Sequence, residues 1–252
     1  MSLKTSNLPF KARVDHEVHN TIMRKAVVKA QETIGANRQK MVDELGHWEE
    51  WRDLSKQIRN HVLANLDAYL YQLSEKVIEN GGKVYFAETA EEASAYIRKV
   101  ALEKNAKNIV KSKSMVTEEI GLNEVLEKEG MQVIETDLGE YLLQISGDKP
   151  SHIVVPAIHK DRHQIRKDLS EKLGYEGEET PEDMTRFVRE KIRQDFLEAD
   201  IGISGCNFAV AETGSVCLVT NEGNLRLATT LPKTHIAVMG MGRLAPTFQE
   251  VD

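Results

Sequence analysis

Short apolar runs alternate with helical segments between residues 82 and 239, and this alternation constrains the fold more than any other feature of the sequence. Thr89, for example, is placed to cap a helix over residues 90–104, because Glu92 follows three residues later. Strands that alternate with helices build a mainly parallel sheet flanked by helices, and ligands gather beyond the carboxyl ends of its strands. We therefore predict an α/β fold. The predicted strands cover residues 83–87, 108–110, 132–135, 152–155 and 235–239, and the predicted helices cover residues 90–104, 115–128, 139–145, 161–173 and 181–197.

The first 81 residues have a different pattern, which predicts an N-terminal helical arm. From Phe10 to about Glu79 the apolar residues recur every three or four positions, as on one face of a helix. Two or three helices follow from this spacing, and Gly81 and Gly82 end the last of them. We expect residues 1–81 to form an arm that covers a sheet or a partner subunit, and residues 82–252 to form the α/β body.

Composition limits the classes of partner and the compartment. A formal net charge of −7 argues against a general affinity for nucleic acid or anionic lipid. The two cysteines, Cys206 and Cys217, provide neither a disulfide framework nor four thiolates for a metal site. The N-terminal residues lack the apolar segment of a signal peptide, and no apolar run approaches the ~18 residues of a membrane span. We therefore predict a cytoplasmic protein that neither enters a membrane nor binds nucleic acid.

Two lysines and two serines follow the predicted strand 108–110, in the order Lys111, Ser112, Lys113 and Ser114. A predicted helix begins directly after them and carries Glu118 in its first turn. Cations and hydroxyls at a helix N-terminus suit a carboxylate or a phosphate, because free backbone N–H groups and the helix dipole point towards the ligand. The alternative interpretation is that Ser114 only caps the helix and that the lysines are solvated.

Three carboxylates, Glu135, Asp137 and Glu140, lie within six residues at the end of the predicted strand 132–135. Such a group can raise the pKa of one member and so create a general acid or base, or it can bind a hard cation. A solvated acidic loop is the simpler alternative.

His159 and His163 follow the strand predicted over residues 152–155. They are four positions apart and would share one face of a helix, but the glutamate of the zinc metalloprotease signature is absent. We therefore predict no metal site. His159 is nearer to the strand end and is the better candidate for contact with a substrate.

Residues 204–226 concentrate glycine, asparagine, threonine and acidic residues between short apolar runs. The runs 208–211, 216–220 and 225–229 predict a small β-meander. We expect it to form one wall of a cleft, opposite residues 111–114 and 135–140, and we expect Cys206 to be a small buried residue. The corners of the meander are formed by Glu212, Thr213 and Gly214, and by Asn221, Glu222, Gly223 and Asn224.

Five of these segments together resemble one known family, and the similarity extends over essentially the whole chain. They are residues 82–93 (GKVYFAETAEEA), 110–120 (VKSKSMVTEEI), 135–140 (ETDLGE), 155–160 (VPAIHK) and 204–226. These segments resemble the LUD domain of the lactate-utilisation protein B family. The resemblance implies a fold similar to that of ribose-phosphate isomerases and CoA transferases.

Members of that family are iron–sulfur subunits of a bacterial three-component system that oxidises L-lactate to pyruvate. The resemblance implies a small anionic substrate such as lactate and, as partners, the other subunits of the system; a homo-oligomer is also compatible with the sequence. Family members continue past a region like residues 239–243 into a ferredoxin-like part whose cysteines hold 4Fe–4S clusters. Because Cys206 and Cys217 cannot supply four thiolates, we expect those clusters in a C-terminal extension and no cofactor within this chain.

The family pattern also suggests site residues. As a mechanistic hypothesis, Lys113 and the helix end at Ser114 bind the substrate carboxylate, and His159 or a loop carboxylate takes the hydroxyl proton. A redox acceptor on another domain or subunit would take the electrons. The catalytic candidates are His159, Asp137, Glu140 and Glu212. The candidates for substrate binding are Lys111, Lys113, Ser114, Glu118, Glu135, Thr213, Gly214, Asn221, Glu222, Gly223 and Asn224.

Two other functions stay open at this stage. An enzyme similar to CoA transferases or isomerases would use Glu212 as its nucleophile, because an activated carboxylate at a strand-end turn can form an acyl intermediate. A non-catalytic domain would instead bind a small ligand and assemble with the other subunits.

Overall fold

The computed structural model describes residues 9–150 and 155–251. Within these ranges, four parallel strands form the main sheet in the order β2, β1, β3, β6; they are β1 (Asn108–Lys111), β2 (Gln132–Glu135), β3 (Ile201–Ser204) and β6 (Thr234–Ala237). In a smaller sheet, β4 (Phe208–Val210) pairs antiparallel with β5 (Ser215–Cys217) and parallel with β7 (Leu244–Ala245). The predicted α/β fold with a mainly parallel sheet and flanking helices is confirmed.

Helices pack on both faces of the main sheet, as the alternation of side chains along a strand requires. Ile109 of β1 contributes to a core with Ile97 and Leu122, whereas its neighbour Val110 packs with Phe196 and Ala228. The helices of the body are α5 (Ala90–Glu103), α6 (Met115–Glu119), α7 (Leu122–Glu127), α8 (Leu138–Ser146), α9 (Arg162–Leu173), α10 (Pro181–Glu198) and α11 (Asn224–Thr230).

The arm contains four helices in its described part, not the predicted two or three. They are α1 (Phe10–Val18), α2 (Thr21–Leu45), α3 (Trp48–Ala64) and α4 (Leu66–Glu79). Val62 and Leu73 of the arm are buried against Ala209 and Leu244 of the smaller sheet. The arm therefore covers a sheet, as expected. The division of the chain at residue 82 stays a prediction, since α4 shares a core with the body.

Two local predictions in the first half of the body are wrong. Residues 83–88 form no strand with either described sheet; instead the ring of Tyr85 stacks on Tyr96 of α5, with 3.9 Å between ring centroids. The single helix predicted over residues 115–128 is broken into α6 and α7. Gly121 has a φ of 63° at this break, a left-handed conformation that glycine adopts without strain.

The prediction of a third strand in the meander is also wrong, because residues 224–230 form α11. Gly223, with a φ of 78°, turns the chain into this helix, which lies directly on β3. The close packing depends on Gly202, where an added Cβ would lie 1.7 Å from the carbonyl oxygen of Ala228. Of the strand predicted over residues 152–155, residues 152–154 lie outside the described residues.

Over residues 9–150 and 155–251, no helix combines the length and the apolar character that a bilayer span requires.

Candidate functional site

A buried ion pair joins the carboxyl ends of two neighbouring strands of the main sheet. Lys111 ends β1 and Glu135 ends β2, and the parallel register places these two residues opposite each other. Lys111 Nζ lies 2.9 Å from Glu135 Oε1, and their side chains are 0% and 3% exposed. Burial removes both charges from water, which is costly. The ion pair itself and further hydrogen bonds must therefore offset this cost.

Three helices that follow β1 and β2 supply the remaining polar groups. Thr117 of α6 accepts a hydrogen bond from Lys111 Nζ at 3.2 Å and donates one to the carbonyl oxygen of Ser114 at 2.8 Å. Asn123 of α7 donates from Nδ2 to Glu135 Oε1 at 2.6 Å. Glu118 of α6 and Glu140 of α8 complete the set, and their carboxyl groups hydrogen-bond to each other. We call Lys111, Thr117, Glu118, Asn123, Glu135 and Glu140 the Lys111 cluster.

Glu140 keeps its proton at neutral pH in this environment. Burial raises its pKa to about 10, and the charge of Glu135 and the hydrogen bond with Glu118 act in the same direction, while Lys111 opposes them. Burial by itself disfavours the charged form of Lys111, but the charge of Glu135, its hydrogen bond with the lysine and the other nearby acidic groups outweigh burial and leave the pKa of Lys111 above its ordinary value. The cluster therefore places a lysine cation and a protonated carboxyl beside the two further carboxyl groups of Glu118 and Glu135.

Buried oxygens of the cluster have unused capacity to accept hydrogen bonds. Glu135 Oε2, Glu140 Oε2 and Asn123 Oδ1 are inaccessible to solvent and have no hydrogen-bond partner, and these residues are at most 5% exposed. Buried polar atoms without partners are uncommon and mark positions where a proton or a donor group is expected. The oxygen Glu135 Oε2 is notable because the other oxygen of the same carboxylate is held by both Lys111 and Asn123.

Further predicted residues lie beside the cluster. Asp137 caps α8, since its Oδ1 accepts from the backbone N–H of Glu140 at 3.2 Å. Glu222 accepts from the backbone N–H of Leu138 at 3.5 Å. Burial and the charge of Asp137 raise the pKa of Glu222, while that N–H and the charge of Lys113 lower it. Asp137, Glu222 and Lys113 are therefore neighbours at the carboxyl end of the sheet, as predicted for this side of the cleft.

Ser114 is the N-cap of α6, and its Oγ accepts from the backbone N–H of Thr117 at 3.4 Å. The hydroxyl group of Ser114 therefore caps the helix, which is the alternative interpretation of this sequence segment. Gly205, which follows β3, lies so close that an added Cβ would be 2.9 Å from Ser114 Oγ. The segment after β3 thus adjoins the segment after β1.

The turn of Glu212, Thr213 and Gly214 lies elsewhere, against α4. Asn80 donates from Nδ2 to the carbonyl oxygen of Thr213 at 3.0 Å, and an added Cβ on Gly214 would lie 2.8 Å from the backbone of Lys76. The prediction that both corners of the meander face the same cleft is therefore wrong for this corner, because the hairpin of β4 and β5 directs it towards the arm. At the other corner, Asn221 is exposed, and Gly223 and Asn224 form the start of α11.

His159 lies in a turn before α9, so it does not share a helix face with His163, as the spacing had suggested. It lines an open depression of about 270 Å³ together with Asp148 and Lys160. Lys160 is paired there with Asp148 at 2.5 Å and with Asp168 at 2.6 Å. His159 thus belongs to a different set of contacts from those that define the Lys111 cluster.

The two cysteines do not fit an iron–sulfur cluster. A 4Fe–4S cluster needs four thiolates, and the chain has two cysteines. Burial raises the pKa of Cys206 to about 11, with a smaller contribution from neighbouring Cys217 that outweighs the opposing charge of Arg243. In the described part of the chain, no three His, Cys, Asp or Glu side chains are grouped so that they could hold a metal ion.

The structure defines an α/β domain with a buried site of mixed charge at the carboxyl edge of a parallel sheet. The chain belongs to the LUD domain family, whose sequence model matches residues 70–252. It is 73% identical to "Uncharacterized electron transport protein YkgF" of Escherichia coli (strain K12) over 252 residues, which are 100% of this chain and 53% of that protein. It is 58% identical to "Lactate utilization protein B" of Bacillus cytotoxicus over 252 residues, again 100% of this chain and 53% of that protein.

A third relative, "Lactate utilization protein B" of Bacillus pumilus, is 59% identical over 253 residues, which are 100% of this chain and 54% of that protein. The chain thus spans about half the length of the curated relatives it matches. No solved structure matches the chain. The similarity to ribose-phosphate isomerases and CoA transferases therefore stays a prediction.

Two residues of the cluster, Thr117 and Asn123, were missed from the sequence. In the sequence, Thr117 stands only in the first turn of the helix predicted over residues 115–128. Asn123 faces Glu135 because Gly121 breaks that helix and redirects α7. A glycine within a predicted helix is a signal for such a break, but the pattern does not tell which side chain the new direction buries.

Proposed function

We propose that this chain is the LUD-domain part of a protein that takes part in L-lactate utilisation, and that the Lys111 cluster exchanges a proton with the substrate. Two relatives named "Lactate utilization protein B" match the whole chain at 58% and 59% identity, which supports this process. The 73% identical relative is named an electron transport protein, which supports a redox setting. A cytoplasmic location and association with the other subunits of a lactate-oxidising system are part of this proposal.

The observation that carries the proposal is a buried lysine–glutamate ion pair that lies beside a second buried carboxyl. Glu135 has one oxygen held by Lys111 and Asn123, and its other oxygen is unpartnered. Glu140 is a neighbouring carboxyl that keeps its proton, with its pKa raised by burial to about 10. Neighbouring titratable groups that are driven to different protonation states are typical of acid–base catalysis.

In the proposed reaction, the O–H and C2–H bonds of L-lactate break and a C2=O bond forms, with release of two electrons and two protons. Lys113, at the carboxyl end of β1, attracts the substrate carboxylate, and Glu135 Oε2, which is covered without substrate, accepts the hydroxyl proton when the substrate displaces that cover. Lys111 stabilises the charges that change during this transfer. The two electrons and the proton from C2 pass to a redox acceptor carried by another domain or subunit, because the cysteines of this chain do not fit an iron–sulfur cluster.

The test is lactate oxidation by the full-length, reconstituted system. Glu135→Gln should lower kcat by roughly 10²-fold or more, the usual contribution of a general base. Lys113→Ala should raise KM for lactate, because it removes a charge that attracts the substrate. Lys167→Ala, on the exposed side of α9, serves as the control and should leave both constants unchanged. Unchanged kcat in Glu135→Gln together with unchanged KM in Lys113→Ala would contradict the proposal.

A second candidate function is assembly with partner subunits, and exposed apolar side chains on the arm favour it. The hairpin of α2 and α3 exposes Ile34, Met41, Leu45, Trp51 and Leu54, each by about half or more of its surface. Exposed apolar groups of this kind are typical of protein interfaces. Met41→Asp should reduce co-purification with the other subunits and leave the unfolding free energy of the chain unchanged. Unchanged co-purification would argue against this candidate.

A further inference from the structure

The Lys111 cluster contains more acidic groups than its single lysine can balance. Glu118, Glu135 and Glu140 reach it from α6, β2 and α8, and Lys111 reaches it from β1. A hydrogen bond between two carboxyl groups, such as the one between Glu118 and Glu140, requires a proton between them. With one proton, the three carboxyls still include two carboxylates for one lysine, and some structural feature must decide which carboxylate pairs with Lys111.

Asn123 provides that feature, because its amide distinguishes Glu135 from the other two acids. Its Nδ2 donates to Glu135 Oε1 at 2.6 Å, and this oxygen also receives Lys111 Nζ at 2.9 Å. Two donors on one oxygen favour the ionised form of that carboxyl. Asn123 is 5% exposed, so the hydrogen bond does not compete with solvent. Thr117 holds the lysine from the other side with its Oγ1 at 3.2 Å from Nζ.

We propose that Asn123 is a positioning residue that fixes Glu135 as the anion paired with Lys111 and thereby leaves Glu140 as the protonated carboxyl. This assignment rests on the proposed function for its catalytic meaning, since the fixed anion is the group that would accept the hydroxyl proton of a 2-hydroxy acid. The unpartnered oxygens Glu135 Oε2 and Glu140 Oε2 then differ in role, the first as an acceptor and the second as part of the protonated pair. Asn123 acts through Glu135 and touches no reacting atom.

The experiment follows the carboxyl carbons of the glutamates by ¹³C NMR in the 252-residue chain without lactate, with Glu140→Gln used to assign the Glu140 signal. The wild-type protein should keep Glu140 protonated at pH 8. In Asn123→Leu the proton should move towards Glu135, and the acid dissociation constant of Glu140 should rise roughly tenfold, as expected for loss of a hydrogen bond to a charged group. Ser94→Ala, which removes a partly buried hydrogen bond to the carbonyl oxygen of Ile120, should leave this titration unchanged.

Asn123→Asp tests the contact with Glu135 a second time, through charge. The new carboxyl would face Glu135 Oε1, and the two could stay that close only by sharing a proton, so the loss of unfolding free energy should be large at pH 8 and small at pH 5. An unchanged Glu140 titration in Asn123→Leu, or an equal loss at both pH values in Asn123→Asp, would overturn the inference. Because neither measurement uses lactate, failure of the proposed function would appear separately, as unaltered lactate oxidation in Glu135→Gln.

Discussion

Replacing Lys111 by methionine removes the charge of the buried ion pair while keeping a side chain of similar length. Lys111 Nζ lies 2.9 Å from Glu135 Oε1, and neither side chain is more than 3% exposed. Loss of one partner leaves a buried charge without compensation, which costs about 3–5 kcal/mol of unfolding free energy. For a chain of this length, Tm should fall by roughly 10 °C.

The assay is urea unfolding of Lys111→Met at pH 5 and at pH 8. Without the lysine, the cluster is compatible with burial only when its carboxyls carry protons, so the loss should be larger at pH 8. Lys99→Met is the control, because its pair with Glu103 at 3.8 Å is exposed and should contribute about 0–1 kcal/mol. A loss below about 1 kcal/mol in Lys111→Met, or an equal loss at both pH values, would refute the reasoning.

Three further predictions concern other consequences of burial. The pKa of Glu140 is about 10 in the folded protein and lower in the unfolded chain, so its stabilising contribution is complete at acid pH and is lost as pH rises towards 10; Glu140→Gln should make unfolding free energy, measured in urea at pH 5 and 9, depend less on pH. Gly202→Ala should cost about 3 kcal/mol in the same assay, because its Cβ would lie 1.7 Å from Ala228 O, whereas Gly240→Ala, with no atom within 4 Å, should cost little. The thiol of Cys206 is only partly buried; with a pKa of about 11, it should react with iodoacetamide at pH 7.5 roughly 10²-fold more slowly than a free thiol, and an equal rate would contradict the raised pKa.

The two ends of the ion pair could be predicted because they depend on strand order alone. Lys111 and Glu135 each end a strand, and the carboxyl ends of neighbouring parallel strands meet at one edge of the sheet. Glu140 was placed in the same region as a candidate with a raised pKa. Its pairing with Glu118 could not be predicted, since it depends on how α6 and α8 approach each other across the sheet edge.

Other predictions from the sequence were wrong for identifiable physical reasons. Residues 225–229 have the alternation of a strand, but Gly223 turns the chain so that this segment lies as a helix on β3. Residues 83–87 have the composition of a strand and find no neighbour with which to pair in either described sheet. Glu212 belongs to a polar turn of the expected kind, yet the hairpin carries that turn to α4. The deciding contact is distant in sequence for the Glu212 turn, whereas Gly223 acts locally and residues 83–87 lack a pairing strand.

The cost of burying charges argues that the Lys111 cluster serves chemistry and not stability. Apolar cores already hold both faces of the main sheet, with Ile109 on one side and Val110 on the other. Buried ionic groups can often be replaced by apolar residues of similar volume without loss of stability. The double variant Lys111→Met, Glu135→Leu should therefore unfold at nearly the wild-type urea concentration and lose lactate oxidation in the full-length system. A double variant that retains this activity would show that the charged groups are structural, and the proposed function would lose its principal support.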